Sequence, residues 1–227
     1  MKSTLSEFLT YLAALPVDTD QRIPPLNILS KQLGISVATL REQLEEARSM
    51  GVVEVKPKAG IRKLPYDFSA ALKPGLTYAM HGGCISYSQF ADLRKHLETV
   101  YFIEAAQSLD YQVINYLDDL VTSTLTTIKE TPGKVPVKAH REFHTLIYKE
   151  LKNQYLNGIL EAFWDVYHLS GLEVYPDFTY IERVWQYHAR IVEQIRNCNY
   201  SAGLSLLIEH MDLFNQREKP IQRLTFE

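Results

Sequence analysis

Apolar residues recur at helical spacing over the first third of the chain. Four of them between Leu5 and Leu15 fall at the positions i, i+3, i+4 and i+7, which predicts a first amphipathic helix. After Pro24 and Pro25, the segment LNILSKQLG predicts a second helix that ends at Gly34. Ser36 can cap the third helix, VATLREQLEEARSMG, which is closed by a glycine.

Two short runs of alternating character follow these helices. VVEVKP and GIRKLP flank a Lys-Ala-Gly turn, and the first of them is rich in valine, so the pair predicts a β-hairpin. Helix, helix, turn, helix and hairpin is the order of a winged helix-turn-helix. The sequence therefore predicts such a domain over residues 1–65, with a linker near Pro65.

The pattern beyond Tyr66 is helical throughout. Separators such as HGG, TPGKVP and NCNYS divide it into seven candidate helices. They span residues 67–81, 87–107, 109–130, 136–152, 153–171, 177–198 and 201–217. The predicted fold class is mainly α, with the winged helix-turn-helix followed by an all-α antiparallel helical bundle over 66–227.

Composition adds the expected compartment. With 227 residues and 46% hydrophobic content, the chain can bury a sizeable core. Cys84 and Cys198 are too few for a disulfide framework, which fits a reducing cytosol. The amphipathic first helix is unlike a signal peptide, and no apolar run approaches the ~20 residues of a membrane span. We expect a soluble cytoplasmic protein with no membrane partner.

The charge is distributed unevenly. The net charge is −3, yet residues 1–65 carry nine Lys and Arg against seven Asp and Glu, whereas the rest carries fifteen against twenty. The segment VKPKAGIRKLP contains four basic residues and no acid. Within it, Lys56, Lys58 and Arg62 form a basic wing that would bind DNA phosphates, a contribution that depends on salt and not on sequence.

The third helix is the candidate reader of DNA bases. Val37, Thr39 and Arg41 lie near its N-terminal end, where recognition helices contact base edges and phosphates, and Arg41 is the best candidate contact. Each element alone has an ordinary alternative, since Arg41 precedes acidic residues as on many solvated helix faces and the Lys-Ala-Gly turn is common. The ordered combination favours a DNA-binding domain.

A pair of histidines in the stretch AHREFHTLIY invites a metal interpretation. His140 and His144 are spaced i, i+4 and project from one side of a helix, so they can share a metal ion. The motif is not that of a metalloprotease, because Arg141 holds the place of the catalytic glutamate. Glu142 would point roughly 200° away from both histidines. It cannot activate a water on a metal that they hold.

Four histidines occupy the predicted inner faces of three helices. His140 and His144 share one apolar stripe, and His188 and His210 lie in the middle of two later ones. A single inward histidine is more often a core residue hydrogen-bonded to a carbonyl or a tyrosine. Burying four unpaired imidazoles costs free energy that a shared metal would offset. His81, His96 and His168 lack such placement.

These segments together resemble the GntR family of bacterial transcription regulators, in the FadR-like subgroup that joins a winged helix to a helical ligand-binding (FCD) domain. IPPLNILSKQLGISVATLREQLEEARSMGVVEV resembles the DNA-binding core of the family. FADLRKHLETVYFIEAA resembles the helix that opens the ligand domain, and HREFH, YHARIVEQI and LLIEHM complete the pattern. Seven candidate helices after the wing suit the FadR-type branch.

The resemblance implies a metal site in the helical domain. Family members commonly hold a divalent metal with one aspartate and three histidines. His144, His188 and His210 match the histidines, whereas the aspartate position is taken by His140. A fourth imidazole would make the site rich in nitrogen and favour Zn²⁺ or Ni²⁺ over Mn²⁺, or it would tip away and leave three ligands. Arg94, at the family's arginine position, is implied to bind an acidic effector.

The resemblance also implies how the winged helix reads DNA. Ser36, Thr39, Arg41 and Gly60 fit the family pattern. Val37 stands where a basic residue is usual, as does Asn27 in the preceding helix. We therefore expect altered base readout.

The predicted function is a homodimeric DNA-binding transcriptional repressor, controlled by a small carboxylate effector near a divalent metal in the helical domain. Its partner is double-stranded operator DNA, and it is not an enzyme. Two alternatives stay open. One is a regulator without metal whose histidines donate hydrogen bonds to an organic acid, and the other is a metal-dependent enzyme, which the N-terminal third disfavours.

Overall fold

The structure is a computed structural model that describes residues 5–16, 22–84, 86–131, 135–169 and 178–213. Over these ranges the chain forms ten helices and three short strands, so the mainly α fold class is confirmed. In chain order they are α1 (Glu7–Ala14), β1 (Arg22–Ile23), α2 (Leu26–Leu33), α3 (Val37–Ser49), β2 (Val53–Lys56), β3 (Gly60–Lys63), α4 (Phe68–His81), α5 (Tyr87–Ser108), α6 (Tyr111–Glu130), α7 (Val137–Lys149), α8 (Gln154–Leu169), α9 (Phe178–Arg196) and α10 (Tyr200–Asp212).

The chain divides into two compact units. One comprises Met1–Ser86 with Gly158–Leu169, and the other comprises Tyr87–Asn157 with Ser170–Glu227. The first unit thus includes α4 and most of α8 in addition to the winged helix. A compact unit need not be an independently folding domain. The domain boundary expected near Pro65 therefore stays a prediction.

The first unit contains the expected winged helix-turn-helix. Strands β2 and β3 form the antiparallel hairpin, and β1 adds to the outer side of β3 to give the order β1-β3-β2. The hairpin turn has positive φ at Lys58 (66°) and at Gly60 (84°), a region that only glycine adopts without cost. Strand β1 was not predicted, because two residues carry no period-2 signal.

Local capping explains why α2 and α3 are separate helices. Gly34 ends α2 in the left-handed conformation, with φ of 69°. Two residues later, the Ser36 hydroxyl accepts the backbone N–H of Thr39 at 3.0 Å and caps α3, as predicted. Beneath them, the apolar faces of α1 to α3 and the sheet form a single core whose largest fully buried members are Phe8, Leu29 and Leu40.

The second unit is a helical bundle in which α5, α6, α7, α9 and α10 pack against one another. All seven helices predicted after Tyr66 are present, most with ends within two or three residues of those expected, and the end predicted at residue 217 for the last one lies outside the described residues. Helix α10 approaches α5 closely at Gly203, where a Cβ atom would stand 3.1 Å from the ring of Phe102. This contact sets the spacing between two helices that carry site residues.

None of the described helices has both the length and the apolar character that a membrane span requires.

Candidate metal centre and nucleic-acid interface

Helix α7 positions the first two histidines. Its buried residues are Phe143, His144, Ile147 and Tyr148, so the face that holds His144 is turned into the bundle. His140 lies one turn earlier and is partly exposed, and its ring centroid is 5.0 Å from that of His144. The i, i+4 spacing therefore brings both imidazoles to the same inner side, as expected.

Helices α9 and α10 supply the other two. His188 is fully buried, with its ring stacked on Phe143 at 4.1 Å between centroids and perpendicular to Trp185 at 4.7 Å. His210 is 5% exposed and follows Gly203 by seven residues, on the same face of α10. The close approach of α10 to α5 thus carries His210 into the core.

The four imidazoles converge. Nε2 of His210 lies 3.1 Å from Nε2 of His144 and 3.3 Å from Nε2 of His188. With His140 included, one ring nitrogen from each residue lies within 4.8 Å of the others. Two nitrogens bound to one tetrahedral zinc at 2.0–2.1 Å would be about 3.4 Å apart. The 3.1 and 3.3 Å separations from Nε2 of His210 are close to this value.

The electrostatics of the cluster favour neutral imidazoles. The pKa of all four histidines is lowered well below the ordinary value of 6.5, first by burial and then by neighbouring positive charge, including Arg94. Neutral imidazole is the form that offers a lone pair to a metal. Among the described residues, Nδ1 of His188 and Nδ1 of His210 make no hydrogen bond. The donor set is therefore suited to a borderline metal such as zinc.

A buried charge network adjoins the cluster on α5. The carboxylate of Glu98 accepts a hydrogen bond from Nε of Arg94 through Oε1, and its Oε2 lies 2.7 Å from Nδ1 of His144. The hydroxyl of Tyr148 donates to the backbone carbonyl of Glu98 at 2.9 Å. Burial raises the pKa of Glu98, while the charge of Arg94 opposes that rise. Glu98 therefore joins the predicted effector residue to a predicted metal ligand.

Glu98 was missed as a site residue by the sequence reasoning. Part of the signal is in the sequence, because Arg94, Glu98, Phe102 and Ala105 recur at helical spacings of four, four and three residues, and the structure shows that all four are buried. A charged pair at i, i+4 inside such a stripe is a buried ion pair, and buried ion pairs concentrate at functional sites. Because Arg94 and Glu98 are charged, they interrupt the apolar pattern from which a buried helix face is normally recognised.

Glu142 is not turned into the bundle with the histidines, as its spacing on the helix predicts. Glu142 is exposed, and its carboxylate accepts the hydroxyl of Tyr116 on α6. His81, His96 and His168 are exposed as well. None of these side chains belongs to the group of four.

The predicted base-reading residues lie at the start of α3. Ser36 and Thr39 are joined through their hydroxyls at 2.9 Å in addition to the backbone cap. Arg41 is exposed, whereas Leu40 and Leu44 are buried on a neighbouring face of the helix, roughly 60–100° away at about 100° per residue. This arrangement leaves Arg41 on the surface of the first unit.

The β-hairpin carries the predicted basic residues, and the structure adds Arg22 on β1 to them. Lys56 and Lys58 are exposed, and Lys56 pairs with Glu54 at 3.0 Å. Arg62 lies directly across from Arg22 in the register of β3 and β1, and a Cβ at Gly60 would stand 3.8 Å from the guanidinium of Arg22. Arg22 is thus a further basic residue of the wing that the sequence reasoning did not name.

Lys63, by contrast, makes hydrogen bonds within the first unit. Its ammonium donates to the backbone carbonyls of Leu15 and Pro16, just beyond the end of α1, at 3.1 and 3.0 Å. A cation suits the carbonyl end of a helix.

Comparisons with known proteins agree with this architecture. An FCD-domain profile matches residues 89–213, more than half of the chain. Among solved structures, a GntR protein of Streptococcus agalactiae is similar, with a TM-score of 0.62 at 19% identity over 92% of this chain and 94% of that one. E. coli McbR/YncC gives a TM-score of 0.47 at 17% identity over 92% and 93% of the two chains. No curated protein sequence matches the chain significantly.

A winged helix in the first unit and a helical bundle matched by the FCD-domain family in the second are the two parts that the sequence led us to expect of a transcriptional regulator. The chain belongs to the FCD-domain family, in the GntR type of regulator. The identification made from the sequence is thereby confirmed. The likeness to the S. agalactiae protein, at 19% identity, adds the fold alone.

Proposed function

We propose that this protein is a homodimeric, DNA-binding repressor whose operator affinity is set by a small carboxylate bound beside a divalent metal in the helical domain. Residues 1–65 form the DNA-binding domain, and residues 66–227 form the effector-binding and dimerisation domain. One observation carries the proposal: four imidazoles from three helices lie together, with one ring nitrogen of each within 4.8 Å of the others.

The metal is held by His140, His144, His188 and His210. An all-nitrogen donor set favours Zn²⁺ or Ni²⁺ over Mn²⁺. A bound ion would supply a Lewis-acid site for one carboxylate oxygen of the effector. Arg94 supplies positive charge for a second acidic group, and its link through Glu98 to His144 supports a single pocket that contains both.

Regulation requires that the effector prefer one arrangement of the two DNA-binding domains. A ligand that binds both arrangements equally shifts nothing, however tight its binding. The proposed site takes its residues from α5, α7, α9 and α10, which belong to one packed bundle, so binding there can alter how these helices pack. We propose that this repacking changes the spacing of the two recognition helices in the dimer.

The competing proposal is a regulator that uses the histidines without metal. Nε2 atoms 3.1 and 3.3 Å apart are also compatible with N–H···N hydrogen bonds between neutral imidazoles. Metal analysis of protein purified without added metal separates the two. One zinc or nickel per chain supports the metal form, and a metal-free protein that still responds to an organic acid supports the other.

Removing basic side chains from the DNA-binding domain is expected to have two distinct effects. Arg41→Ala should weaken binding to a duplex selected by this protein from a random library, by about 1–3 kcal/mol if Arg41 contacts a base. Lys58→Ala or Arg62→Ala should weaken binding to all duplexes alike and lower the salt slope by about 1. Fluorescence anisotropy over a salt series measures both quantities.

The matched control for Arg41 is Arg48→Ala, which removes the same side chain from the last turn of α3, where it pairs with Glu45 at 2.8 Å. This variant should bind like the parent protein. The DNA-binding proposal fails if the parent protein retains no duplex at low salt, with or without organic acids.

Dimerisation is expected because two recognition helices must contact half-sites about one DNA turn apart, ~34 Å, or a multiple of it. Light scattering coupled to size exclusion at micromolar concentration should give twice the mass of the chain. A monomer under these conditions, with zinc present and absent, would contradict the homodimer.

A further inference from the structure

We infer that Glu98 is a positioning residue that fixes the tautomer of His144 and thereby directs the Nε2 lone pair of this imidazole towards the other three histidines. The inference rests on the proposed function, because it assigns a role within the same centre. It concerns a residue on α5 that is not itself a ligand candidate.

The geometry of the carboxylate supports this role. Glu98 is fully buried, and its two oxygens have separate partners: Oε1 accepts from Nε of Arg94, and Oε2 lies 2.7 Å from Nδ1 of His144. The Tyr148 hydroxyl donates to the carbonyl of Glu98 and ties this turn of α5 to α7. Each oxygen of the carboxylate thus has its own partner, and the backbone of the same residue has a third.

The proton between Glu98 and His144 has a defined place in this arrangement. Burial raises the pKa of Glu98, but the Arg94 guanidinium at Oε1 favours the ionised form. An ionised carboxylate is an acceptor only, so the hydrogen bond at Oε2 places the proton on Nδ1 of His144. A neutral imidazole carries one N–H, which leaves the lone pair on Nε2. That nitrogen is the one that lies 3.1 Å from Nε2 of His210. Glu98 therefore prepares His144 as a ligand before any metal arrives.

A glutamine at position 98 reverses the preference. Its amide oxygen would accept from Arg94, because arginine has no acceptor atom to offer an N–H group. The NH₂ group would then face Nδ1 of His144, which must become the acceptor. The proton moves to Nε2 and occupies the lone pair that a metal needs. The shape of the side chain is nearly unchanged, so packing is little altered.

The direct test is the tautomer of His144 in metal-free protein. Long-range hydrogen–nitrogen correlation spectra of isotope-labelled histidine distinguish an Nδ1 proton from an Nε2 proton, and His144→Gln identifies the signal. The parent protein should carry the proton on Nδ1, and Glu98→Gln should move it to Nε2. An Nε2 proton in the parent protein overturns the inference without any need for a variant.

The second readout is zinc affinity, measured by competition with a chelator. Glu98→Gln should lower the affinity by about 10–100-fold, the usual cost of losing a partner behind a ligating histidine. Glu98→Asp keeps an acceptor carboxylate and should restore the Nδ1 tautomer and part of the affinity. Glu104→Gln, an exposed substitution on the same helix, should match the parent protein.

The outcomes separate the two proposals. If the parent protein takes up no zinc or nickel, the metal centre fails, while the tautomer spectra still decide the role of Glu98. If the parent protein binds zinc and Glu98→Gln keeps both the Nδ1 proton and an affinity within about twofold of it, the positioning role is wrong and the metal centre stands.

Discussion

Replacing His188 by alanine is expected to abolish stoichiometric metal binding and the stabilisation that accompanies it. His188 and His144 each place Nε2 next to that of His210, so the variant loses one side of the cluster. The zinc affinity should fall by at least about 100-fold, more than for a residue behind the ligands. Metal present at 100 times its Kd adds about 2.7 kcal/mol to the free energy of unfolding, and the variant should lose that gain.

The alanine also leaves a cavity between Phe143 and Trp185, which destabilises the protein without any metal. The informative quantity is therefore the rise in Tm on adding zinc to chelator-treated protein. The parent protein should rise by roughly 5–10 °C, given about 2–4 °C per kcal/mol for a chain of this size. His188→Ala should not rise. The exposed His96→Ala should behave like the parent protein, and an equal rise in His188→Ala would refute the site.

The sequence predicted the helical framework well because the helices bury continuous apolar stripes. Helix α6 was expected over 109–130 and spans Tyr111–Glu130, and α9 was expected over 177–198 and spans Phe178–Arg196. Caps that act within a few residues, such as Ser36, were also predictable. Strand β1 was not, since its two residues become a strand only by pairing with β3.

The grouping of helices into compact units lay beyond the sequence pattern. Helix α4 and most of α8 belong to the first unit, where a Cβ at Gly158 would stand 2.7 Å from Cβ of Phe68. Helical periodicity gives the buried face of each helix and says nothing about which other helix covers it. A glycine that permits close approach is recognisable only when the partner helix is known.

The candidate metal centre was likewise predictable only in part. The inward placement of His144, His188 and His210 followed from helical spacing, and the structure brings them together. The partner behind His144 did not follow, because Glu98 is distant in sequence by 46 residues and lies on a different helix. Spacing identifies which side chains point inwards, whereas hydrogen-bond partners depend on how the helices pack.

Replacing His140 by aspartate is expected to preserve metal binding and to shift the preference of the site from zinc towards manganese. His140→Asp introduces the ligand that the family commonly has at this position, a hard oxygen donor in place of an imidazole. Softer borderline ions prefer nitrogen, and harder ions such as Mn²⁺ prefer carboxylate, so the ratio of zinc to manganese affinity should fall on the order of tenfold. Competition between the two ions, followed by metal analysis of the recovered protein, measures this ratio.

His140→Ala is the matched control, because it removes the fourth ligand without supplying an oxygen. It should lower the affinity for both metals and leave their ratio closer to that of the parent protein. His140 is the least enclosed member of the group, so both substitutions should disturb packing less than a change at His188. If His140→Ala and His140→Asp both retain the parent affinities and ratio, His140 is not a ligand, and the centre is held by His144, His188 and His210 alone.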